Sequence, residues 1–597
     1  MPNETEYSPV PPWQRSDYCG TLRAADAGRE VALWGWVASR RDHGGLVFID
    51  LRDREGLVQL VFNPERDPVS HKVAEAVRAE YYLAAKGRAA RRSDATINPE
   101  LPTGEIEVMV SEAVILNPSQ PVPFPLAGNA PVAEELRLKY RYLDLRRAEM
   151  QQNLRRRHQA LRGTRAFLDA NGFVEIETPI LFRATPEGAR DYLVPSRVNP
   201  GRFYALPQSP QLLKQILMTG GFDRYYQIAR CFRDEDLRAN RQPEFSQIDI
   251  EMTGPRPDDV MSIAEGMMAS IYEYALGMKI EPPFLRISYE EAMERFGSDK
   301  PDLRFGLEMK NLTAAFAQTA FNVFADAIAR GEAIYTIALP GAYQLSRREL
   351  DEMAETLRST HALGLAWVKL IDGGWQGPIA KFVSDEERSH VNATAEASLG
   401  DTLLFIAGPR AKVRSVMGDL RLQLGVRFDL REANTLRFLW VNDFPLFEYS
   451  EEEQRLIAVH HPFTAPHPED LPLLASDPLK VRALAYDMVL NGQEMGGGSI
   501  RIHSAEMQLR MFELLGIPRE EAVSKFGFLL DALKYGAPPH GGIAFGVDRL
   551  AMMVCGTDSL RDVMAFPKTQ KAVDPMSGAP SEIDERQLRE LSIKVIS

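Results

Sequence analysis

The chain has 597 residues, more than one hydrophobic core usually organises, which predicts three or four domains. Its 45% hydrophobic and 26% charged content is that of a globular chain, and no run approaches the ~20 apolar residues of a membrane helix. A net charge of −13 argues against a general binder of DNA or RNA. Cys19, Cys231 and Cys555 are too far apart for a C-x-x-C zinc site or a disulfide framework. The opening MPNETEYSPVPPWQ lacks the basic-then-apolar order of a signal peptide. The expected compartment is the cytoplasm, without a membrane partner.

From 15 to 117 the pattern is β. EVALWGWVASR, GLVFIDLR, LVQLVFN, YYLAAKGRAAR and GEIEVMVSEAVIL are short β-rich runs separated by turn signals such as Asp53-Arg54-Glu55-Gly56. One helical segment, HKVAEAVRAEY, interrupts them. Five strands and a helix of this size predict an OB-type barrel over 1–117, with another small barrel or a sandwich as the alternative.

A proline-rich linker (118–145) leads into a basic stretch. Between Arg137 and Arg165 there are ten Lys/Arg but only two acids, Asp144 and Glu149. Such a run predicts either a solvated helix face or a local grip on RNA phosphates. Helices and strands mix over 146–296, where YYQIARCF and FSQIDIEMT read as an antiparallel pair. Residues 297–430 read as a separate α/β unit with Ala-rich helices. Strands punctuated by glycine resume over 431–570, and 571–597 is a C-terminal extension. The fold class expected is multidomain α+β.

Three stretches carry chemistry together. GFVEIETPIL (172–181) is a strand running into a proline, and RCFRDEDLRANRQPEFSQIDIEM (230–252) is strand, charged loop and strand. In GGIAFGVDRL (541–550), Gly542 and Gly546 allow close backbone approach to a ligand, and Arg549 enters a helix. An isolated R-x-E is usually a surface ion pair. The ordered trio resembles motifs 1, 2 and 3 of the class II aminoacyl-tRNA synthetases, through Pro179, Arg233 with Glu235, and Arg549. ATPEGARDYLVPSR, ALPQSPQLLKQ, HHPFT, GGGSIRIH and KFGFLLDALKYGAPPHGG narrow the resemblance to the bacterial aspartate branch, over essentially the whole chain.

The resemblance implies an antiparallel catalytic sheet, an inserted domain at 297–430, a homodimer built partly on motif 1, and an ATP-dependent, AMP-forming aspartate–tRNA ligase. Its reaction joins an already ionised α-carboxylate to the α-phosphorus of ATP. Positioning and charge stabilisation therefore do the catalysis. Arg233 would meet the α-phosphate and Arg549 the γ-phosphate or pyrophosphate, because guanidinium forks fit phosphate oxygens. Asp234, Glu235, Gln242, Glu494, Gly546, Val547 and Asp548 complete the implied ATP site. Asp487 and Glu494 would supply oxygens to Mg2+. Seven residues apart, they suit one helix face, but Asn491-Gly492 between them signals a turn.

Aspartate and asparagine are nearly the same size, so charge must separate them. The resemblance puts Arg501 and Lys214 on the side-chain carboxylate of L-aspartate, and Glu187 and Gln211 around its ammonium, with Arg233 and His460 also facing the substrate. At the tRNA end, Phe48 matches an anticodon-stacking position, Gln59 and Glu107 base-reading positions, and Arg41 a backbone contact. A strand phenylalanine is otherwise a barrel-core residue. His43 stands where relatives differ in charging tRNA-Asp alone or tRNA-Asn as well. The sequence leaves that open. Competing readings are a lysyl or asparaginyl enzyme, or a non-catalytic RNA-binding paralogue.

Overall fold

The computed structural model describes residues 10–128, 130–185, 188–235 and 241–596. They form two compact units. One comprises Met1–His158, Leu237–Gln242 and Cys555–Ile583; the other comprises Gln159–Asp236, Pro243–Val554 and Asp584–Ser597.

The first unit begins with five strands, β1 (Glu30–His43), β2 (Leu46–Asp53), β3 (Gly56–Phe62), β4 (Tyr82–Arg91) and β5 (Ile106–Asn117), closed in the order β1-β2-β3-β5-β4. Alternation decides what fills the barrel: on β2, Val47, Ile49 and Leu51 are buried while Phe48 and Asp50 are half-exposed on the outer face. Helix α1 (Pro68–Ala76) is capped by Asp67, whose carboxylate accepts from the Val69 and Ser70 amides. It ends short of the predicted 81, because Val77 is extended and the Arg78 guanidinium takes up the carbonyls of Glu75 and Val77.

The basic stretch begins with α2 (Glu134–Lys139) and α3 (Arg141–Asp144) and continues into α4 (Ala148–Ala170). Several of its cations are tied to acids and backbone carbonyls. Arg141 is buried on Asp144 (2.5 Å) and donates to the Met564 and Ala565 carbonyls. Arg137 bridges Asp144 and Asp562, both at 2.9 Å. Arg146 reaches Glu80 and Arg155 reaches Glu55, each at 3.1 Å, so two of these cations hold the helices to the barrel. Basic composition could not reveal this, because apart from Asp144 the acidic partners are remote in sequence.

In the second unit, β6 (Val174–Glu175) is only two residues long. The chain then forms the hairpin β7 (Leu193–Pro195) and β8 (Phe203–Ala205), helix α5 (Gln211–Thr219), and the long pair β9 (Arg224–Phe232) and β10 (Glu244–Thr253). Helix α6 (Pro257–Leu276), β11 (Leu285–Ser288) and α7 (Tyr289–Phe296) follow. A second sheet then forms from β12 (Met309–Asn311), α8 (Asn322–Ala329), β13 (Ala333–Leu339), α9 (Arg347–His361), β14 (Leu365–Ile371), β15 (Gly374–Gln376), α10 (Asp385–Thr394), β16 (Thr402–Gly408) and α11 (Arg410–Arg427). Its strand order is β12-β13-β16-β14-β15. An apolar cluster covers each face, which is why β13 and β16 are near-continuous apolar runs.

The chain returns to the first sheet of this unit with β17 (Phe438–Asn442). A small hairpin follows, β18 (Phe447–Ser450) and β19 (Arg455–Ala458), with a single turn of helix, α12 (Leu473–Ser476). Strands β20 (Ala485–Leu490) and β21 (Gln493–Ile500), helices α13 (Ala505–Leu514) and α14 (Arg519–Leu533), and strand β22 (His540–Gly546) running into α15 (Val547–Cys555) complete it. The eight strands lie in the order β11-β17-β20-β21-β22-β10-β9-β6, antiparallel except for the outermost pair at each edge. One face of β10 (Ile248, Ile250, Met252) joins the core with α6. The other face carries Asp249 and Glu251, both buried. That second face holds the candidate site.

Candidate active site

Asp249 and Glu251 are the centre of a buried ionic network. Lys214, projecting from α5, places Nζ 3.0 Å from Asp249 Oδ1 and 3.5 Å from Glu251 Oε2. Arg501, at the end of β21, donates from Nε to Glu251 Oε1 (3.0 Å), from Nη2 to Oε2 (3.3 Å) and from Nη1 to Ser499 Oγ (2.7 Å). Burial penalises both carboxylates. For Glu251, Arg501 and Lys214 outweigh that penalty and hold its titration below the usual range. For Asp249 burial wins over Lys214, and the group is pushed up. With Glu251 held in its charged form between Lys214 and Arg501, the network presents two cationic side chains to an anionic guest.

Two histidines extend the network. His461 is buried, and burial followed by the charges of Arg501 and Lys214 lowers it to about 3. Its Nδ1 faces the Phe463 amide at 3.4 Å, while Nε2 has no partner. His460 packs edge-on against Phe444, with ring centroids 4.3 Å apart, and burial lowers it to about 4. Both imidazoles are therefore neutral near pH 7, each with an unpartnered buried Nε2. Gln211, at the start of α5, likewise has a buried, unpartnered Nε2.

Arg233 lies just past the end of β9, its amide donating to the Pro243 carbonyl and its guanidinium carbon 5.1 Å from the Phe245 ring centroid. Its charge is felt by His461, which ties it to the same pocket. Asp234 is bridged through its backbone to Arg190, and Glu235 is half-exposed and engaged. Glu187 lies outside the described residues. Gln242 belongs to the other compact unit, where its amide exchanges two hydrogen bonds with the Lys568 backbone, at 2.8 and 3.0 Å.

Asp487 and Glu494 sit on the two strands of the β20–β21 hairpin. Asn491 and Gly492 both have positive φ (52° and 81°), the two-residue turn their composition signalled. Glycine is required at 497 for space: a Cβ there would lie 2.6 Å from Asp487 Oδ1 and 3.8 Å from Glu494 Oε1. Burial, then the Glu494 charge, pushes Asp487 well above the carboxylate range, and its Oδ1 has no hydrogen-bond partner. His460 Nδ1 is 3.9 Å from that oxygen. Two mutually repelling carboxylates with a bare buried oxygen fit a magnesium ion, which takes one or two protein carboxylates and completes its shell with phosphate and water. Among the described residues no cluster of three or more His, Cys, Asp or Glu side chains could by itself hold a metal.

Motif 3 needs a correction. Gly542 does not open the backbone to a ligand: a Cβ there would meet the Ile250 carbonyl at 2.0 Å and Glu251 Oε2 at 2.3 Å, so this glycine makes room for the network behind the pocket. A Cβ on Gly546 would make only an ordinary contact, 3.9 Å from Arg549 Cβ. The Val547 side chain joins the core, and Asp548 accepts from the Ser246 amide, anchoring α15 to β10. Arg549, in the first turn of α15, donates to the Glu494 carbonyl at 2.5 Å, beside the hairpin.

Sequence reasoning overlooked Asp249, Glu251, Ser499 and His461. The signal was there: acids alternating with Ile248, Ile250 and Met252 put two carboxylates on one buried strand face, which demands cationic partners.

In the first unit, Arg41, His43, Phe48, Gln59 and Glu107 line one cleft of about 590 Å³ on the outside of the barrel, with Arg92 and the loop 93–101. Arg41 Nη2 reaches Asp50 (2.9 Å) and Gln59 (3.3 Å), and Gln59 Nε2 reaches Glu107 (2.9 Å). The Phe48 and His43 rings meet edge-on at 6.2 Å.

Residues 133–570 match the family model of tRNA synthetases class II (D, K and N), and residues 31–116 match the OB-fold nucleic acid binding domain. The chain belongs to the class II tRNA synthetases. It is 53% identical, over 98% of each chain, to the Aspartate--tRNA(Asp/Asn) ligase of Caldanaerobacter subterraneus subsp. tengcongensis. It is 54% identical, again over 98% of each, to the protein of the same name from Geotalea uraniireducens. Among solved structures, asparaginyl-tRNA synthetase from Pyrococcus horikoshii complexed with asparaginyl-adenylate aligns over 93% of this chain and 98% of its own, with a TM-score of 0.59 at 20% identity. That likeness shows the fold: an OB barrel followed by the antiparallel catalytic sheet. No described helix is long and apolar enough to cross a membrane.

Proposed function

We infer that this synthetase activates L-aspartate with ATP, releasing pyrophosphate, and transfers the aspartyl group from the adenylate to the terminal adenosine of tRNA, releasing AMP. The carrying observation is the buried Lys214–Glu251–Arg501 network, whose two cationic side chains suit a carboxylate better than a neutral amide. The bound α-carboxylate is already a nucleophile, so the neutral imidazoles of His460 and His461 orient and desolvate rather than take a proton. Arg233 places positive charge where the α-phosphate gains it, and Arg549 does the same for the leaving pyrophosphate. Asp487 and Glu494 would hold Mg2+, which when bound supplies charge to the phosphate oxygens. ATP–pyrophosphate exchange with aspartate, asparagine and lysine tests the reading. Exchange driven by asparagine or lysine as well as by aspartate would overturn it.

The barrel cleft reads the anticodon: Phe48 stacks a base on its exposed face, Gln59 and Glu107 read base edges, and Arg41 meets the backbone. With His43 at the cleft and relatives named for both tRNAs, the enzyme charges tRNA-Asn as well as tRNA-Asp. Aminoacylation of the two purified transcripts decides. Val174, Ile180, Leu181 and Phe222 are roughly half exposed around motif 1, which favours a homodimer covering them. The reaction belongs in the cytoplasm, where the three free thiols stay reduced.

A further inference from the structure

Arg421 lies within α11, far along the chain from every residue of the site, yet it is among the most buried side chains of the protein at 1% exposure. Among the described residues no carboxylate forms an ion pair with it, although Asp302 and Glu308 act on it electrostatically. Its guanidinium instead gathers three backbone carbonyls of one loop: Asp302 (2.8 Å), Phe305 (2.9 Å) and Gly306 (2.9 Å from Nη2, 3.1 Å from Nε). The rings of Phe305 and Phe296 lie 4.2 and 5.0 Å from the guanidinium carbon. Close backbone approach supports this grip. A Cβ on Gly418 would meet the Gly297 carbonyl at 2.6 Å, and one on Gly425 would meet the Phe305 ring at 2.6 Å.

The loop so fixed presses on the hairpin turn. A Cβ on Gly492 would stand 3.0 Å from Asp302 Cβ, so the Asp302 side chain packs directly on the turn joining the strands of Asp487 and Glu494. Asp302 is itself held by Arg304 (2.7 Å) and Arg431 (3.5 Å). On the other side, Asn491 is held by the chain leaving α11: its Oδ1 accepts from the Arg437 amide (2.9 Å) and its Nδ2 donates to the Thr435 carbonyl (2.9 Å). The turn is thus gripped by both segments through which the five-stranded module enters and leaves the catalytic sheet. The loop also brings Asp299 and Lys300 close enough to act electrostatically on Asp487.

We propose that Arg421, through the loop 298–306 and Asp302, is a positioning residue for the β20–β21 hairpin, and that this grip sets the ATP side of the site rather than the aspartate side. The proposal rests on the reading of Asp487 and Glu494 as the ATP–magnesium face. Lys214 and Glu251 hold aspartate from α5 and β10, and Arg501 stands at the end of β21 away from the turn, so the aspartate side does not depend on the turn.

Three variants test it: Arg421→Met, which keeps volume but no donors, Arg421→Lys, which keeps one charged donor, and Asp302→Ala, which acts at the turn and leaves α11 intact. Calorimetric binding of ATP with Mg2+ should weaken about 2- to 30-fold in Arg421→Met, the range of indirect coupling through packed networks. Arg421→Lys should recover part of the loss, and aspartate affinity should stay within about twofold. Amides of 488–495 should exchange roughly tenfold faster in Arg421→Met and Asp302→Ala. ATP affinity and hairpin exchange both unchanged in folded variants would overturn the proposal, as would equal weakening of ATP and aspartate. If Arg421→Met does not fold, Asp302→Ala decides on the same two readouts. Glu494→Gln runs beside them: unaltered ATP–Mg2+ binding there would remove the metal reading, while the exchange data still decide whether Arg421 positions the hairpin.

Discussion

Arg501 and Glu251 form a buried two-pronged ion pair, Nε to Oε1 at 3.0 Å and Nη2 to Oε2 at 3.3 Å, whose second oxygen also faces Lys214. Glu251 thus orients both cationic side chains. Glu251→Gln should therefore raise the aspartate KM by more than tenfold, about 1.4 kcal/mol, with the ATP KM nearly unchanged. Breaking a buried pair also costs about 3–5 kcal/mol of stability, so the variant should melt lower. An unchanged aspartate KM would mean that Glu251 is only a structural counter-ion.

Arg233→Ala should abolish ATP–pyrophosphate exchange while leaving the melting transition in place, because Arg233 is half-exposed at a strand end. Removing one such donor costs about 2.7–4 kcal/mol of transition-state stabilisation. Normal exchange with tRNA charging lost would refute the assignment.

Gly497→Ala should shift the magnesium dependence of exchange to higher concentration. Its Cβ would sit 2.6 Å from Asp487 Oδ1, so the carboxylate must shift from its present position beside Glu494. The aspartate KM should change far less. A titration curve superimposable on the parent's would show that Asp487 does not approach the metal.

Acid should destabilise the catalytic unit through His461. Its folded titration near 3 lies below the ordinary 6.5, so the unfolded chain binds the proton first. Stability is complete above about 6.5 and is lost as pH falls from there towards 3, at up to about 1.4 kcal/mol per pH unit. Urea unfolding at several pH values should show His461→Gln with a slope shallower by about one proton between pH 4 and 6. Equal slopes would mean that His461 is protonated in the folded protein.

Phe48→Ala should weaken tRNA charging about 5- to 150-fold, the 1–3 kcal/mol of a lost stacking platform, with exchange and melting unchanged. Its neighbours Val47 and Ile49 fill the barrel and Phe48 does not. Lowered melting together with lost charging would restore Phe48 to the barrel core.

The barrel and the β9–β10 pair were legible in the sequence because both rest on local patterns: alternation, and turn residues between short runs. The resemblance to the class II motifs singled out Lys214 with Arg501 and Asp487 with Glu494, which the structure brings together in two clusters, and Asn491-Gly492 announced its own turn. What only the tertiary structure decided depends on partners distant in the chain. Ion pairing of Arg137 and Arg141 with remote acids and carbonyls turned a basic run into structural anchors, against its composition. Gly542 makes room for Glu251 rather than for a ligand, since β22 lies directly against β10. Arg421 meets the loop of Asp302, which packs on the hairpin turn, only after the five-stranded sheet that separates the two in sequence has folded. Periodicity reports which face of an element is buried; it carries no information about what that face is buried against.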